Sequence, residues 1–436
     1  MSKPVVILGA GLSGLSCALH LGQKIGYGLY EKEKTVGGLC RSVSQDGFYF
    51  DYTGHLLHLR QDPSAALVRS LLGKNLNHLN RNSCIYSHQT FTRYPFQANT
   101  YGLPSKVVKE CVLGFLQARL KPRKQSGNFY DWVIANFGSG FGRHFFFGYN
   151  EKLWTLPVKY LSSGWVGKYV PRTTVEEVIT GALSDQTKKF GYNATFWYPK
   201  YKGIQSLSDA LAARTGHVNL AESALKINAR DKAVLFSSGR VDHYQRLVST
   251  MSLKELLNMI EDLPAAVRKA AGHLRYNSIL NINLGVSPTL KNDKHWIYFP
   301  EKKYPFYRIG FCSNFSAYNH PRNTSSLYVE IAGRPGQWDG NTGDIERQVK
   351  QTVALMRQIG LLERDSKIIT VRNFVIEPAY CIYDQKRESS LKVINDYLRT
   401  RGIHSIGRYG AWEYSAMQDA LNWGERTATS IKEDLC

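Results

Sequence analysis

The chain has 436 residues, more than the roughly 250 to 300 at which a single core usually splits, so two or three packed units able to bury a large ligand are expected. A hydrophobic fraction of 43% and an aromatic fraction of 12% are those of a globular protein, and no apolar run approaches the roughly 20 residues that span a bilayer. The net charge of +21 draws anionic partners, but no zinc-finger spacing, RNP-type strand or dense basic run accompanies it, which points to a nucleotide-sized anion and away from nucleic acid.

In chain order, the start "MSKPVVILGAG" has no basic segment followed by a cleavage site and reads as a mature cytoplasmic N-terminus. The run "PVVIL" at 4 to 8 enters "GAGLSGLSCALHLG" and then "YGLYEKE", a strand, glycine turn, helix and strand. Gly9 permits the tight turn, Gly11 lets the backbone approach a pyrophosphate, and Gly14 lets the helix pack on the strand. Leu12 and Ser13 open the helix, whose free N–H groups face the anion. Glu31 lies twenty residues after Gly11, where a carboxylate can accept both hydroxyls of an unphosphorylated ribose, and Lys32 follows it. The segment "TVGGLCRS" adds a second glycine pair with Gly38, Leu39 and Arg41. It resembles the extension in flavoproteins of the amine oxidase and protoporphyrinogen oxidase type, which implies FAD with Arg41 neutralising its phosphates. The strand "GFYFDYTGHLLHL" then ends at Gly54 and His55, which in such enzymes lie near the isoalloxazine.

Residues 62 to 185 turn to helical patterns, 186 to 262 return to strands, and several strands follow between 274 and 335, read as an antiparallel sheet. A helix at 343 to 360, the strand "IITVRNFVIEP" and a helix at 388 to 400 precede "SIGRYGAWEYSAMQDALNWG". The expected fold class is α/β: a Rossmann-like FAD-binding domain with an inserted helical domain and an antiparallel β-sheet domain. The FAD-binding domain is discontinuous (1–77, 186–262 and 365–436), the helical domain takes 98–185, and the sheet domain takes 78–97 and 263–364. The seven cysteines are scattered and never form C-x-x-C, so free thiols and no metal site are expected.

Five stretches in order, "RYPFQANTYGLP", "FGYNEKLWTLP", "NATFWYP", "HWIYFPEKKYPFYRIGFCSNFSAYN" and "GIHSIGRYGAWEYSAMQDA", resemble motifs of the UDP-galactopyranose mutase family, nearer its eukaryotic-type members. The resemblance implies an isomerase that interconverts a UDP-hexopyranose and the UDP-hexofuranose through attack of reduced FAD N5 on the anomeric carbon, with NAD(P)H or another reductant as electron source. Arg308 matches the arginine that binds the diphosphate, a task suited to a planar fork. Tyr298, Tyr380 and Tyr414 match tyrosines that donate to the phosphates, and His55 the histidine beside the flavin. Tyr94, Phe96, Gln97, Asn150 and Trp154 match the uridine end, and Asn193 a residue on the sugar side.

At the C-terminal stretch, Gly407 lets the backbone approach, Arg408 meets the FAD diphosphate, and Met417, Gln418 and Asp419 open a helix facing the flavin, while Trp412 and Tyr414 point to substrate. One departure is plain: where the family carries a second diphosphate arginine, this chain has Tyr169, with Lys168 and Arg172 as neighbouring cations. The implied partners are a UDP-sugar or related nucleotide-sugar, with no nucleic acid and no transmembrane segment, and a homo-oligomer is allowed. An FAD-dependent oxidase or desaturase shares every FAD signal and stays open as the alternative.

Overall fold

The computed structural model describes residues 4–60, 62–121, 127–188, 190–191, 194–340 and 342–435. Its organising layer is a five-stranded parallel sheet in the order Ile403–Ser405, Arg246–Ser249, Val5–Leu8, Tyr27–Tyr30, Val218–Asn219. Val5–Leu8 is buried throughout, as a parallel strand covered on both faces must be. One face packs on the helices Leu12–Leu21 and Met417–Leu435 through Leu15, Ala18, Ala428 and Ile431. The other packs on a cluster that holds Phe236, Leu256, Ile394 and Trp412.

The first helix can lie this close because Gly14 has no side chain: a Cβ there would stand 1.9 Å from the Gly9 carbonyl oxygen. Strand, turn and helix follow the expectation from "PVVILGAGLSGL".

A seven-stranded sheet stands against this unit, ordered Lys367–Ile376, Ser278–Ser287, Ser325–Gly333, Arg308–Gly310, Trp296–Tyr298, Ser83–Ser87, Thr90–Arg93. Its neighbours are antiparallel except that Trp296–Tyr298 runs parallel to Ser83–Ser87. That pair joins segments some two hundred residues apart in sequence, so no hairpin dictates its direction. Residues 76–80, which the sequence splits between two units, pair instead with Thr195–Pro199 in a separate two-stranded ribbon. The helix Thr342–Gln358 covers one face of the large sheet through Val349, Val353 and Met356.

The inserted helices Ser105–Leu120, Phe129–Phe141 and Phe147–Trp154 enclose an aromatic core of Phe96, Phe115, Phe137, Phe141 and Trp154. Phe129–Phe141 kinks at Gly138, whose φ of 79° only glycine takes without strain. Two residues on, a Cβ at Gly140 would lie 2.1 Å from the Glu110 carbonyl oxygen of the crossing helix. A π-turn over Gly142–Phe146 follows, and beyond it Tyr149 stacks on Phe145 of the helical core and meets Tyr298 of the large sheet edge-on. The six described cysteines are free and buried, and no helix among the described residues is long and apolar enough to cross a membrane.

The crossing at Gly140 is a sharp packing constraint of the helical insert. Gly140→Ala is expected to lower stability by about 1 to 3 kcal/mol, because the clash is with backbone that cannot rotate away. Urea unfolding of the two proteins measures this, and equal stability would mean the helices can slide apart.

Candidate functional site

The parallel sheet, the large sheet and the inserted helices enclose one cavity of about 860 Å³. Its floor at one end is the C-terminal edge of the parallel sheet, where α/β folds bind their ligands. Gly9 takes φ 98°, and a Cβ there would meet Thr250 Oγ1 at 2.3 Å. Gly11, Leu12 and Ser13 line the wall above it. Gly11 also bridges to Gly37, so the two glycine segments lie side by side. Glu31 is 6% exposed, and its carboxylate accepts from the backbone N–H of Ala10 at 2.7 Å and of Glu33 at 3.0 Å. Lys32, Gly38 and Leu39 line the same end. Arg41 Nε donates to the Gly38 carbonyl at 2.7 Å, Nη1 lies 3.3 Å from Glu33, and the guanidinium stacks over Tyr52.

Gly407 enters from the opposite strand with φ 80°, and a Cβ there would stand 2.8 Å from Ser13 Oγ. Arg408 is held under the cavity by Nη1 donation to the Ser415 carbonyl at 2.9 Å, with its guanidinium over the rings of Tyr380 and Tyr414 at 5.1 and 5.0 Å. It has no carboxylate partner among the described residues, so this half-buried cation on the cavity wall is open to an anionic ligand. His55 lies beside Gly54, whose missing Cβ leaves room for the Tyr328 hydroxyl. His55 Nδ1 is buried with no hydrogen-bond partner, and burial, aided by the Arg408 charge, pushes its pKa down to about 4.

The other end is built on a cross-strand pair. Tyr298 and Arg308 face one another in register on neighbouring strands, and Glu330 lies opposite Arg308 on the next. Arg308 Nε and Nη2 bind the Glu330 carboxylate at 2.5 and 2.8 Å, with the Glu330 side chain wholly buried and that of Arg308 21% exposed. The fork is thereby fixed in orientation, and its Nη1, which makes no hydrogen bond among the described residues, can serve a ligand.

Around it stand Tyr94, Tyr149, Tyr298, Tyr380 and Tyr414, all on the cavity wall. Tyr94 and Tyr298 rings are 5.5 Å apart, and Tyr380 and Tyr414 rings 5.6 Å. Burial raises the Tyr94, Tyr149, Tyr380 and Tyr414 hydroxyls above the ordinary phenol range, which keeps them as proton-bearing donors. Asn150 and Trp154 line the cavity from one helix, with Trp154 Nε1 donating to Asn150 Oδ1 at 3.2 Å, and Gln97 Nε2 donates to the Pro171 carbonyl at 2.7 Å.

Tyr169 reaches the cavity but is already engaged: its hydroxyl donates to the Tyr414 carbonyl at 2.8 Å. The Tyr414 N–H meanwhile donates to Tyr383 Oη at 2.9 Å, so the loop over the cavity is tied from both sides.

Several expected residues lie elsewhere. Phe96 is fully buried behind the wall, stacked on Phe145, because an apolar ring next to the helical core gains more from that core than from the cleft. Arg172 is exposed and does not line the cavity, and the side chain of Lys168 and all of Asn193 lie outside the described residues. Gly14 sits under Gly9 rather than on the wall.

Gln418 and Asp419 turn away from the cavity. Gln418, 2% exposed, accepts from the Arg60 N–H at 2.8 Å and donates to Asp62 at 2.6 Å, and Asp419 pairs with Arg60. Helical periodicity explains it, since Met417 and Ala420, three apart, take the cavity face. Trp412 points into the core beneath the sheet, against Tyr276, and does not line the cavity. The sequence reading overlooked Tyr149 and Glu330. The first signal was its place beside Asn150 within a matched motif; the second was a lone carboxylate in the apolar strand "SSLYVEIAG".

Residues 12–432 match the family model for flavin containing amine oxidoreductases. The chain is similar to a crystal structure of reduced UDP-galactopyranose mutase, with a TM-score of 0.91 and 27% identity over 99% of this chain and 94% of that one. It also shares its fold with a putrescine oxidase bound to putrescine (TM-score 0.64, 16% identity, 99% of each chain) and with a conjugated-linoleic-acid-producing fatty acid isomerase from P. acnes (TM-score 0.65, 13% identity, 98% of each chain).

Buried titratable groups, two on the cavity wall (His55 and His58) and two outside it (His295 and Asp51), set a pH response. His55, His58 and His295 are pushed down to about 4 by burial, so unfolding between pH 6.5 and 4 takes up three protons; Asp51, raised to about 6 by burial, releases one. These four groups thus bind two more protons unfolded than folded near pH 5. Stability is expected to fall by roughly 2 to 3 kcal/mol per pH unit there on acidification, measured by urea unfolding at pH 6.5 and 5. A flat profile would place the histidines in water.

Proposed function

The chain belongs to the flavin containing amine oxidoreductase family, and from that premise we propose that it is an FAD-dependent nucleotide-sugar mutase that interconverts a UDP-hexopyranose, galactose-like, and its UDP-hexofuranose. FAD is the cofactor that the family implies, and the residues present suit it. Gly9, Gly11 and Gly38 clear space for a pyrophosphate, Glu31 can take a ribose, Arg41 and Arg408 supply cations, and His55 Nδ1 offers an unused hydrogen-bonding atom. When bound in reduced form, FAD supplies a nucleophilic nitrogen for chemistry at the sugar anomeric carbon, with NAD(P)H or another reductant keeping it reduced.

The observation that carries the reading is Arg308. Its fork is locked by Glu330 with one N–H edge left over, among tyrosine hydroxyls that burial keeps protonated. This donor set suits a diphosphate and has no evident purpose against an amine or a porphyrin. Arg308, Tyr298, Tyr380 and Tyr414 hold the diphosphate and stabilise its charge while the C1–O bond is broken and remade. Tyr94, Asn150, Gln97 and Trp154 form the base end, where aromatic faces exclude water.

Tyr169, in this reading, contributes through the Tyr414 loop in place of a second phosphate-binding cation. Similarity to reduced UDP-galactopyranose mutase supports the assignment. The activity belongs on this reading to the supply of furanose sugars for cell-surface polysaccharide, in the cytoplasm.

Anaerobic incubation of dithionite-reduced protein with a panel of UDP-pyranoses, with products resolved by chromatography, is expected to yield the furanose isomer. Arg308→Ala should lower conversion by about 100-fold or more with FAD retained. Oxygen consumption with an amine, and no sugar conversion, would make the protein an oxidase.

A further inference from the structure

We propose that Lys152, which is absent from the cavity wall, is a positioning residue that clamps the turn carrying Tyr298 and Arg308 to the helix carrying Tyr149, Asn150 and Trp154. The inference rests on the reading that Arg308 and Tyr298 bind the substrate diphosphate.

Residues 299–307 connect two short strands, and their geometry sets where Tyr298 and Arg308 face one another. Three backbone carbonyls of this connection, Phe299, Glu301 and Phe306, converge on Lys152 Nζ at 2.7, 2.7 and 3.1 Å. An ammonium has three N–H donors, one for each. A buried cation is costly, and burial pushes the Lys152 pKa down to about 7 against the opposing pull of Glu301. Hydrophobic packing alone would not need it; three acceptors from both limbs of one turn do.

A second feature of the same helix face agrees. Gly148 lies one turn before Lys152, and a Cβ there would stand 2.7 Å from the Pro300 carbonyl oxygen. The helix thus approaches the turn at backbone distance, while Glu151 pairs with Lys302 at 3.4 Å on the outer side. Tyr149, on the adjoining face, sets its ring edge-on to Tyr298 at 5.5 Å and to Tyr307 at 6.2 Å. Inside the turn the Phe299 N–H donates to the Tyr307 carbonyl at 2.9 Å. Phe299 follows Tyr298 directly and Phe306 precedes Arg308 by two residues, so releasing their carbonyls frees both cavity residues at once. Lys152 in this way couples the base end of the site, on the helix, to its phosphate end, on the sheet.

The test uses flavin-loaded protein and UDP as probe, by titration calorimetry. Lys152→Met is expected to weaken UDP binding about tenfold, or 1.4 kcal/mol, with flavin content and absorbance unchanged. In an Arg308→Ala background the same change should matter less than about twofold, because the two substitutions remove one coupled arrangement. UDP affinity equal to wild type, or the same loss in both backgrounds, overturns the clamp.

If Lys152→Met does not fold, Gly148→Ala must weaken UDP binding by pushing the turn away, and unchanged affinity overturns the proposal. Wild-type protein that binds no UDP would instead overturn the mutase reading. The clamp is then judged by hydrogen exchange at the Phe299 and Tyr307 amides, expected to quicken about tenfold in Lys152→Met or, if Lys152→Met does not fold, in Gly148→Ala, and unchanged exchange overturns it.

Discussion

A carboxylate with no solvent exposure sits at the centre of the large sheet, and the arrangement of the cavity depends on it. Glu330 lies in a strand whose neighbours are Leu327, Val329 and Ile331. Removing a carboxylate from water is expensive unless a cation with matched geometry lies beside it. Arg308 meets that need with two parallel bonds, and the price is that its guanidinium can point only one way. The register of three strands, Trp296–Tyr298, Arg308–Gly310 and Ser325–Gly333, is therefore also the geometry of the Arg308 end of the cavity.

The end of the cavity at the parallel sheet obeys a different constraint, which is backbone proximity. Gly9, Gly14 and Gly407 each occupy a place where a Cβ would strike a neighbouring atom, and their absent side chains let the first strand, the first helix and the last crossover converge. Arg408 closes this end as a cation among tyrosine rings, without a counter-charge among the described residues. Arg308 is neutralised by Glu330, so it is Arg408 that has no internal negative partner among the described residues, and an anionic ligand there agrees with the excess of basic over acidic residues in the chain. The helical insert supplies the remaining wall, with Tyr149, Asn150 and Trp154 from the helix that follows the π-turn.

Much of the site was legible beforehand, because its residues lie in compact motifs. The stretch from Gly9 to Arg41 contains local information only, a strand, a turn and a helix with the acid at the end of the second strand, and these were readable from spacing. Arg308, Tyr380, Tyr414 and Asn150 followed from resemblance in segments whose order along the chain matched. Phe96, Gln418, Asp419 and Trp412 were misplaced for one shared reason: in each case the motif is local, but the face it presents is chosen by a distant partner. Gln418 turns to Arg60 and Asp62, Trp412 to Tyr276, and Phe96 to Phe145. Lys152 lies within the matched stretch "FGYNEKLWTLP", but nothing local sets it apart, since a lysine on a helix most often faces water.

The sequence by itself determined the nucleotide-binding unit at the N-terminus, the α/β class and the family resemblance, since these rest on short-range backbone preferences and on residue types at fixed spacing. Only the tertiary structure decided which side chains share the cavity, that Tyr169 ties down the Tyr414 loop, that Glu330 orients Arg308 and that Lys152 holds three carbonyls of one turn. Those outcomes depend on pairings between residues tens to hundreds of positions apart, where burial leaves each polar atom to find whatever partner the packing brings within reach.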